Sequence, residues 1–330
     1  MESGTRNAPL TMGFGHRFRP LDLVNGKGLV MRIIVGVTEL APTRQTLHLL
    51  RALRFPNPDV ELVYAIEPLN PLSFSYHGLD ANLVDRYMAQ QRLVAQDYLK
   101  HAQAALTEAH PRPGENGEFL VEAKLLSGFP ADTLLATADR SHAGLIMLGS
   151  TGKSPFKQVF LGSVSRKVLI SAKQSVCLVK HDLDPNCPLT VVFATDHSPY
   201  ARRCADLLLN LAPRGIGRLV ILTVYPDQLG DVVKATLPNF RTDVGPWIQE
   251  ELGKQNAQLA AKLAPLGIPT SSQVVPGDVN QVINQTMFDE KADLLILGAQ
   301  GRRFMERFVI GSISHHQATA EPHSVLILRP

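Results

Sequence analysis

Two glycine-rich segments at matching spacing are the residues of this 330-residue chain best suited to chemistry. Gly149, Gly152, Gly162 and Ser163 stand in GSTGKSPFKQVFLGS, and Gly298, Gly301, Gly311 and Ser312 stand in GAQGRRFMERFVIGS. Each reads Gly-x-x-Gly, nine residues, then Gly-Ser. Glycine at the end of a strand lets the backbone turn tightly and approach a ligand with no Cβ in the way. A Gly-Ser that opens a helix offers N–H groups without an intrahelical acceptor, a hydroxyl and the positive end of the helix dipole. These features suit an anion, phosphate above all. Val164 and Ser165, like Ile313 and Ser314, fall in the same first turn, where their N–H groups reach a terminal phosphate. One such turn is weak evidence, but the full spacing found twice is strong. GSTGKS looks like a Walker A loop only superficially. That motif needs four residues between its glycines, and here there are two; the second copy also lacks Lys-Ser.

Around these segments the chain is a duplication. Gly128, Gly149, Gly152, Gly162 and Ser163 recur 149 residues later as Gly277, Gly298, Gly301, Gly311 and Ser312. Nearer the start of each half, Thr38 pairs with Asp196 and Ile66 with Val224 at an offset of 158, so the second copy is nine residues shorter between its second and third strands. Short apolar runs without polar alternation predict strands covered on both faces: Ile33–Val37, Leu62–Ile66, Leu120–Leu125, Leu145–Leu148 and Val176–Val179, then Val191–Ala194, Leu219–Val224, Ser272–Val275, Leu294–Leu297 and Val325–Leu328. Helical stretches alternate with them: Pro42–Arg54, Ala81–His110, Pro130–Asp139 and Ser163–Ala172, then Tyr200–Leu211, Val244–Leu266, Asn280–Glu290 and Ser312–Thr319. Pro199 suits a helix start, with Asp196 or Ser198 as its cap. The alternation predicts an α/β protein of two tandem, doubly wound, parallel five-stranded sheets with right-handed crossovers. Ligands of such sheets bind beyond the carboxyl ends of the strands. The last strand of each copy is read as a sheet edge, and exposed edges pair readily. A homodimer stays open.

Composition narrows the classes. The chain is 45% hydrophobic and 19% charged, with 33 basic against 30 acidic residues. Of the net +3, the first 30 residues supply Arg6, Arg17, Arg19 and Lys27 against Glu2 and Asp22, which leaves the remainder near neutral. That argues against nucleic acid as a partner, since phosphate backbones need clustered Lys and Arg. No uncharged apolar run reaches the ~18 residues of a membrane helix; Arg214 and Arg218 break the longest candidate, so no membrane partner is expected. Cys177, Cys187 and Cys204 lack C-x-x-C spacing and read as reduced thiols of a cytoplasmic protein, with no zinc site. His315 and His316, adjacent on a helix, point about 100° apart and make no metal site. Residues 1–29 read as a disordered leader or as upstream sequence carried in the frame, followed by domains at 30–182 and 187–330.

The motif G-2x-G-9x-G-(S/T) after the fourth strand of a five-stranded α/β domain resembles the universal stress protein family, and the duplication resembles its tandem form. The resemblance covers about residues 31–330. It implies Rossmann-like sheets of the adenine nucleotide alpha hydrolase type, strand order 3-2-1-4-5, in a stress-response or regulatory protein; because the last strand's edge joins two subunits in single-domain relatives, it also implies an intramolecular pseudo-dimer of the two copies. Its cofactor would be ATP, any magnesium riding on the phosphates. Carried over, the nucleotide-binding positions are Gly149, Gly152, Gly162 and Ser163 in the first copy and Gly298, Gly301, Gly311 and Ser312 in the second. Asp196 in TDHS would hold the nucleoside, and Val224, with Ile66 as its counterpart, would face the adenine. The first copy departs from the pattern: Thr38 stands where Asp is expected, and lacks the charged bidentate acceptor that a ribose diol favours. Lys153, Lys157, Arg302, Arg303 and Arg307 either neutralise phosphates or are ordinary solvated loop charges. No nucleophile–base pair stands out, so catalysis is at most slow ATP hydrolysis. A nucleotide-free scaffold is the remaining alternative.

Overall fold

The computed structural model describes residues 31–68, 81–107, 120–150, 161–229, 235–236, 244–301 and 310–330. Residues 1–29 and Gly152, Lys153, Lys157, Arg302, Arg303 and Arg307 lie outside the described residues. The first copy runs β1 (Met31–Gly36), α1 (Leu40–Leu53), β2 (Pro58–Ile66), α2 (Ala81–Thr107), β3 (Leu120–Ser127), α3 (Pro130–Arg140), β4 (Leu145–Gly149), α4 (Ser163–Ser171) and β5 (Ser175–Val179). The second runs β6 (Leu189–Ala194), α5 (Pro199–Leu211), β7 (Ile216–Tyr225), α6 (Val244–Leu263), β8 (Thr270–Pro276), α7 (Val279–Asp289), β9 (Leu294–Gly298), α8 (Ser312–Ala320) and β10 (Ser324–Leu328). The helix starts follow local chemistry. Pro199 and Pro130 occupy first-turn positions where a missing N–H costs nothing. Ser198 and Asp278 cap α5 and α7 by accepting from Ala201 and Gln281 N–H at 3.1 and 3.0 Å.

All ten strands form one sheet, ordered β3-β2-β1-β4-β5-β10-β9-β6-β7-β8. Each half thus has order 3-2-1-4-5 and is parallel throughout. The halves join through one antiparallel pair, β5 with β10, in which Cys177 faces Leu326 and Val176 faces Ile327. Cys177 and Leu326 occupy the same place in their copies, 149 residues apart, so the local two-fold axis passes through that pair. One continuous core lies under α1, α2, α5 and α6, and another under α3, α4, α7 and α8. β1, β4, β6 and β9 carry side chains into both, which explains why their sequences show no alternation.

Two sets of polar contacts fasten the copies. Lys180, just after β5, donates to the carbonyls of Gln317 (3.1 Å) and Glu321 (2.6 Å) at the end of α8. Its equivalent Arg329, just after β10, donates to Leu169 (2.6 Å) and Gln174 (3.3 Å) at the end of α4. The N–H of Lys180 bonds Ser324 Oγ and that of Arg329 bonds Ser175 Oγ, both at 3.1 Å. Each copy therefore supplies a cation to the negative, carbonyl-bearing end of the other copy's fourth helix. On the opposite face, the end of α1 docks on the second copy: Gly215 N–H donates to Leu53 O (3.1 Å) and Arg214 N–H to Arg54 O (3.3 Å).

Candidate functional site

Each half places its glycine motif at the carboxyl edge of the sheet, beside the loop that follows its first strand. In the second half β6 ends at Ala194, and Thr195 N–H still reaches Leu222 O at 2.9 Å. The chain then turns sharply. Asp196 Oδ1 accepts from Ser198 N–H at 3.0 Å, and His197 adopts φ 58°, a left-handed conformation uncommon outside glycine. This turn brings the Asp196 carboxylate to the motif: a Cβ added at Gly301 would lie 3.3 Å from Asp196 Oδ2. Gly311 folds back so that its N–H donates to Ala299 O at 2.7 Å, and α8 starts directly after it. Gly311 caps α8 without any side-chain hydrogen bond, and the first intrahelical bond comes from His315 N–H, at 2.8 Å. The N–H groups of Ser312, Ile313 and Ser314 thus lie ahead of the first intrahelical bond, beside a motif with no side chain at Gly301 or Gly311. The Ser314 hydroxyl is already used, donating to Gly298 O at 2.6 Å and fixing the helix to the end of β9.

The first half repeats the frame with different chemistry. Gly162 caps α4 without a side-chain bond, and Arg166 N–H makes the first intrahelical bond to Gly162 O at 3.0 Å. Ser163 and Val164 occupy the first turn, and Ser165 is buried within it. Thr38 is exposed; its N–H donates to Thr43 Oγ1 at 3.0 Å, and Glu39 starts α1 with φ −61° and no side-chain cap. A cleft of about 380 Å³ leads away from Thr38 between α1 and α2, over Leu47, Tyr98 and Ala102.

The three glycines of a motif do not share one duty. A Cβ at Gly149 would lie 2.8 Å from both the carbonyl carbon and Cβ of Pro42; at Gly298 it would meet Cys204 Sγ at 3.1 Å and the Tyr200 ring at 3.2 Å. Pro42 and Tyr200 are equivalent positions, 158 residues apart, in the first turns of α1 and α5. The leading glycine of each motif therefore admits the protein's own helix. Gly149→Ala is expected to lower stability by about 2 kcal/mol, because backbone must shift, whereas Gly301→Ala should change it by less than about 0.5 kcal/mol. Paired thermal melts check this; equal losses would overturn the division.

The strand register corrects one equivalence. A β-bulge beside Leu189 and Thr190 skips a residue of β7, so that Val191 pairs Leu219 where Ile33 pairs Val60. The counterpart of Ile66 is Tyr225, and that of Val224 is Ala65: Gly128 N–H bonds Ile66 O as Gly277 N–H bonds Tyr225 O. Ile66 is buried and Val224 half-buried, at the carboxyl ends of β2 and β7. Burial pushes the thiols of Cys177 and Cys204 up to about 12, in line with inert reduced sulfur. Among the described residues no group of three His, Cys, Asp or Glu is placed to hold a metal ion, and no helix is long and apolar enough to cross a membrane. What the sequence did not point to is the role of His197, whose ring turns inward to Thr223 and Asn256.

Ten strands wound as two parallel five-stranded halves, each with a glycine motif at its carboxyl edge, define a tandem Rossmann-like α/β protein. The chain belongs to the Universal stress protein family, which matches residues 30–180 and again 189–329. A Thermus aquaticus universal stress protein is 28% identical over 144 residues, 42% of this chain and 98% of that one. A Methanocaldococcus jannaschii universal stress protein is 35% identical over 60 residues, 18% of this chain and 35% of its own length, so the chain spans about a third of that relative. The solved universal stress protein from Archaeoglobus fulgidus shares the fold across 91% of this chain and 98% of its own, with TM-score 0.61 at 20% identity.

Proposed function

We propose that the chain binds an adenine nucleotide, ATP with or without magnesium, and acts as a stress-response or regulatory protein organised as units at 30–182 and 187–330. The tighter site is in the second half. Asp196 holds the nucleoside, Gly301 gives room for the backbone to approach, and the first turn of α8 from Gly311 and Ser312 receives the phosphates. The observation that carries this reading is the Asp196 carboxylate set beside Gly301, within the loop that leads to an N-terminus without a side-chain cap. The first half offers the same helix end but Thr38 in place of the carboxylate. Losing one charge-assisted hydrogen bond weakens binding by about 1.5–3 kcal/mol, or about 10- to 100-fold.

Asp196→Asn keeps the acceptor that Ser198 N–H needs while removing the charge, so it is expected to weaken ATP binding by that factor. Thr38→Ala should change affinity by less than about twofold. Titration calorimetry of both variants distinguishes them, and equal losses would overturn the asymmetry. Slow ATP hydrolysis is the alternative, and single-turnover assays with labelled ATP would detect it; nucleotide binding does not require it.

A further inference from the structure

Behind Asp196 lies a buried polar cluster built on His197, Thr223 and Asn256. His197 Nε2 is 2.9 Å from Asn256 Oδ1 and 3.0 Å from Thr223 Oγ1; the Thr223 hydroxyl donates to Asn256 Oδ1 at 2.7 Å, and Asn256 Nδ2 donates to Gln273 O at 3.1 Å. With Asn256 turned so that its amide serves Gln273, Oδ1 only accepts, and His197 Nε2 carries the proton. Asn256 is 0%, Thr223 2% and His197 8% exposed, so these groups have no water to turn to. The backbone of His197 is held as well. Its N–H bonds Thr195 Oγ1 at 3.1 Å, and its carbonyl accepts from Arg202 Nε at 3.3 Å. All of this fixes a residue at φ 58°, a left-handed conformation that side chains other than glycine adopt at a cost.

The first half is an internal control. The positions equivalent to His197, Thr223 and Asn256 are Glu39, Tyr64 and Leu99: Tyr64 pairs Leu125 in the sheet as Thr223 pairs Val274, and Leu99, Ala102 and Leu106 face the core as Asn256, Leu259 and Leu263 do. None of the cluster's side chains is present there, and Glu39 has φ −61°. The half that lacks the aspartate also lacks the cluster and the left-handed turn.

We infer that Asn256 and Thr223, acting through His197, are positioning residues that aim the Asp196 carboxylate at a ribose diol. The inference rests on the nucleotide reading above. A generally weakened fold would lower affinity for every nucleotide alike, whereas a misaimed Asp196 loses only the contribution of the 2′- and 3′-hydroxyls. The test compares binding of ATP and 2′,3′-dideoxy-ATP to the full chain by calorimetry, in wild type, Asp196→Asn, Asn256→Leu, Thr223→Val and Thr223→Ser. Wild type should prefer ATP by at least about tenfold at its tighter site. Asp196→Asn, Asn256→Leu and Thr223→Val should reduce the preference to less than about twofold, with Asn256→Leu and Thr223→Val holding dideoxy-ATP as before; Thr223→Ser, which keeps the hydroxyl, should retain the preference. Leucine at 256 is the residue the first half uses, and if that variant fails to fold, the two Thr223 variants decide alone. Should Asn256→Leu and Thr223→Val keep the preference that Asp196→Asn loses, the positioning role is overturned and the nucleotide reading stands. Should wild type bind both nucleotides without preference, this inference falls while nucleotide binding stands; should it bind neither, the nucleotide reading falls, and this inference with it.

Discussion

Replacing Gly215 with alanine is expected to lower the unfolding free energy by about 3 kcal/mol, although the residue lies in a loop and in no motif. Gly215 is buried where the second copy meets the end of α1. An added methyl group would overlap the carbonyl oxygen of Ala52 and lie 2.8 Å from its carbonyl carbon and 3.2 Å from that of Leu53. Those atoms belong to the last turn of a helix whose Ala52 and Leu53 are each 1% exposed, so they cannot yield as the tip of a side chain would. Relief must come from the loop backing away, which breaks the bonds from Gly215 and Arg214 to the Leu53 and Arg54 carbonyls. Each is worth about 1 kcal/mol, and the carbonyl of the buried Leu53 is then left without its partner. Gly253, in the middle of α6, is the control: no atom lies within 4 Å of where its Cβ would be, and alanine there should stabilise by about 0.5–1 kcal/mol. Denaturant titrations of the two variants give opposite signs if the docking is as tight as described. A Gly215→Ala protein as stable as wild type would show that the copies do not meet in this way.

That contact illustrates which features a sequence carries. The duplication was legible because equal spacing survives any drift in the intervening residues, and Gly149, Gly298 and their followers placed the carboxyl edges of both halves. Uniformly apolar runs such as Leu294–Leu297 identified buried parallel strands, since covering both faces removes alternation. The union of two sheets into one was open to argument from edge strands alone, but its fastenings were not. Lys180, Arg329 and Gly215 act across sequence separations of well over one hundred residues, and nothing local marks a lysine that will cap a helix of the other copy. The offset of 158 also misaligned Ile66 with Val224, because one residue of β7 is absorbed in a bulge and the shorter α2–β3 counterpart hides the slip. At the site itself, Asp196 was picked out by the family resemblance of TDHS; its support by His197, Thr223 and Asn256 was not, since three residues on a loop, a strand and a helix converge only after folding.

Acid should expose the same junction through a single histidine. His323 precedes β10 and is 9% exposed, with Nε2 at 2.8 Å from Gln317 Oε1, which only accepts; the ring therefore donates while neutral. Gln317 also gives its carbonyl to Lys180, so a second cation would form beside one already buried. Burial first, and then the positive charge of Lys180, with a smaller contribution from His181, push the His323 pKa down to about 4, while Glu321 opposes them. Between about 4 and about 6.5, the value of a free histidine, the unfolded chain holds a proton that the folded chain does not. Stability therefore rises with pH in that window. The contribution is complete above about 6.5 and is lost as pH falls through about 4, amounting to about 3 kcal/mol across the range. His323→Gln keeps a side-chain N–H for Gln317 but cannot take up a proton. Its unfolding free energy should fall by about 3 kcal/mol less than that of wild type between pH 7 and pH 4, measured by urea titration at each pH. Parallel curves for the two proteins would place the acid sensitivity elsewhere and leave His323 as packing alone.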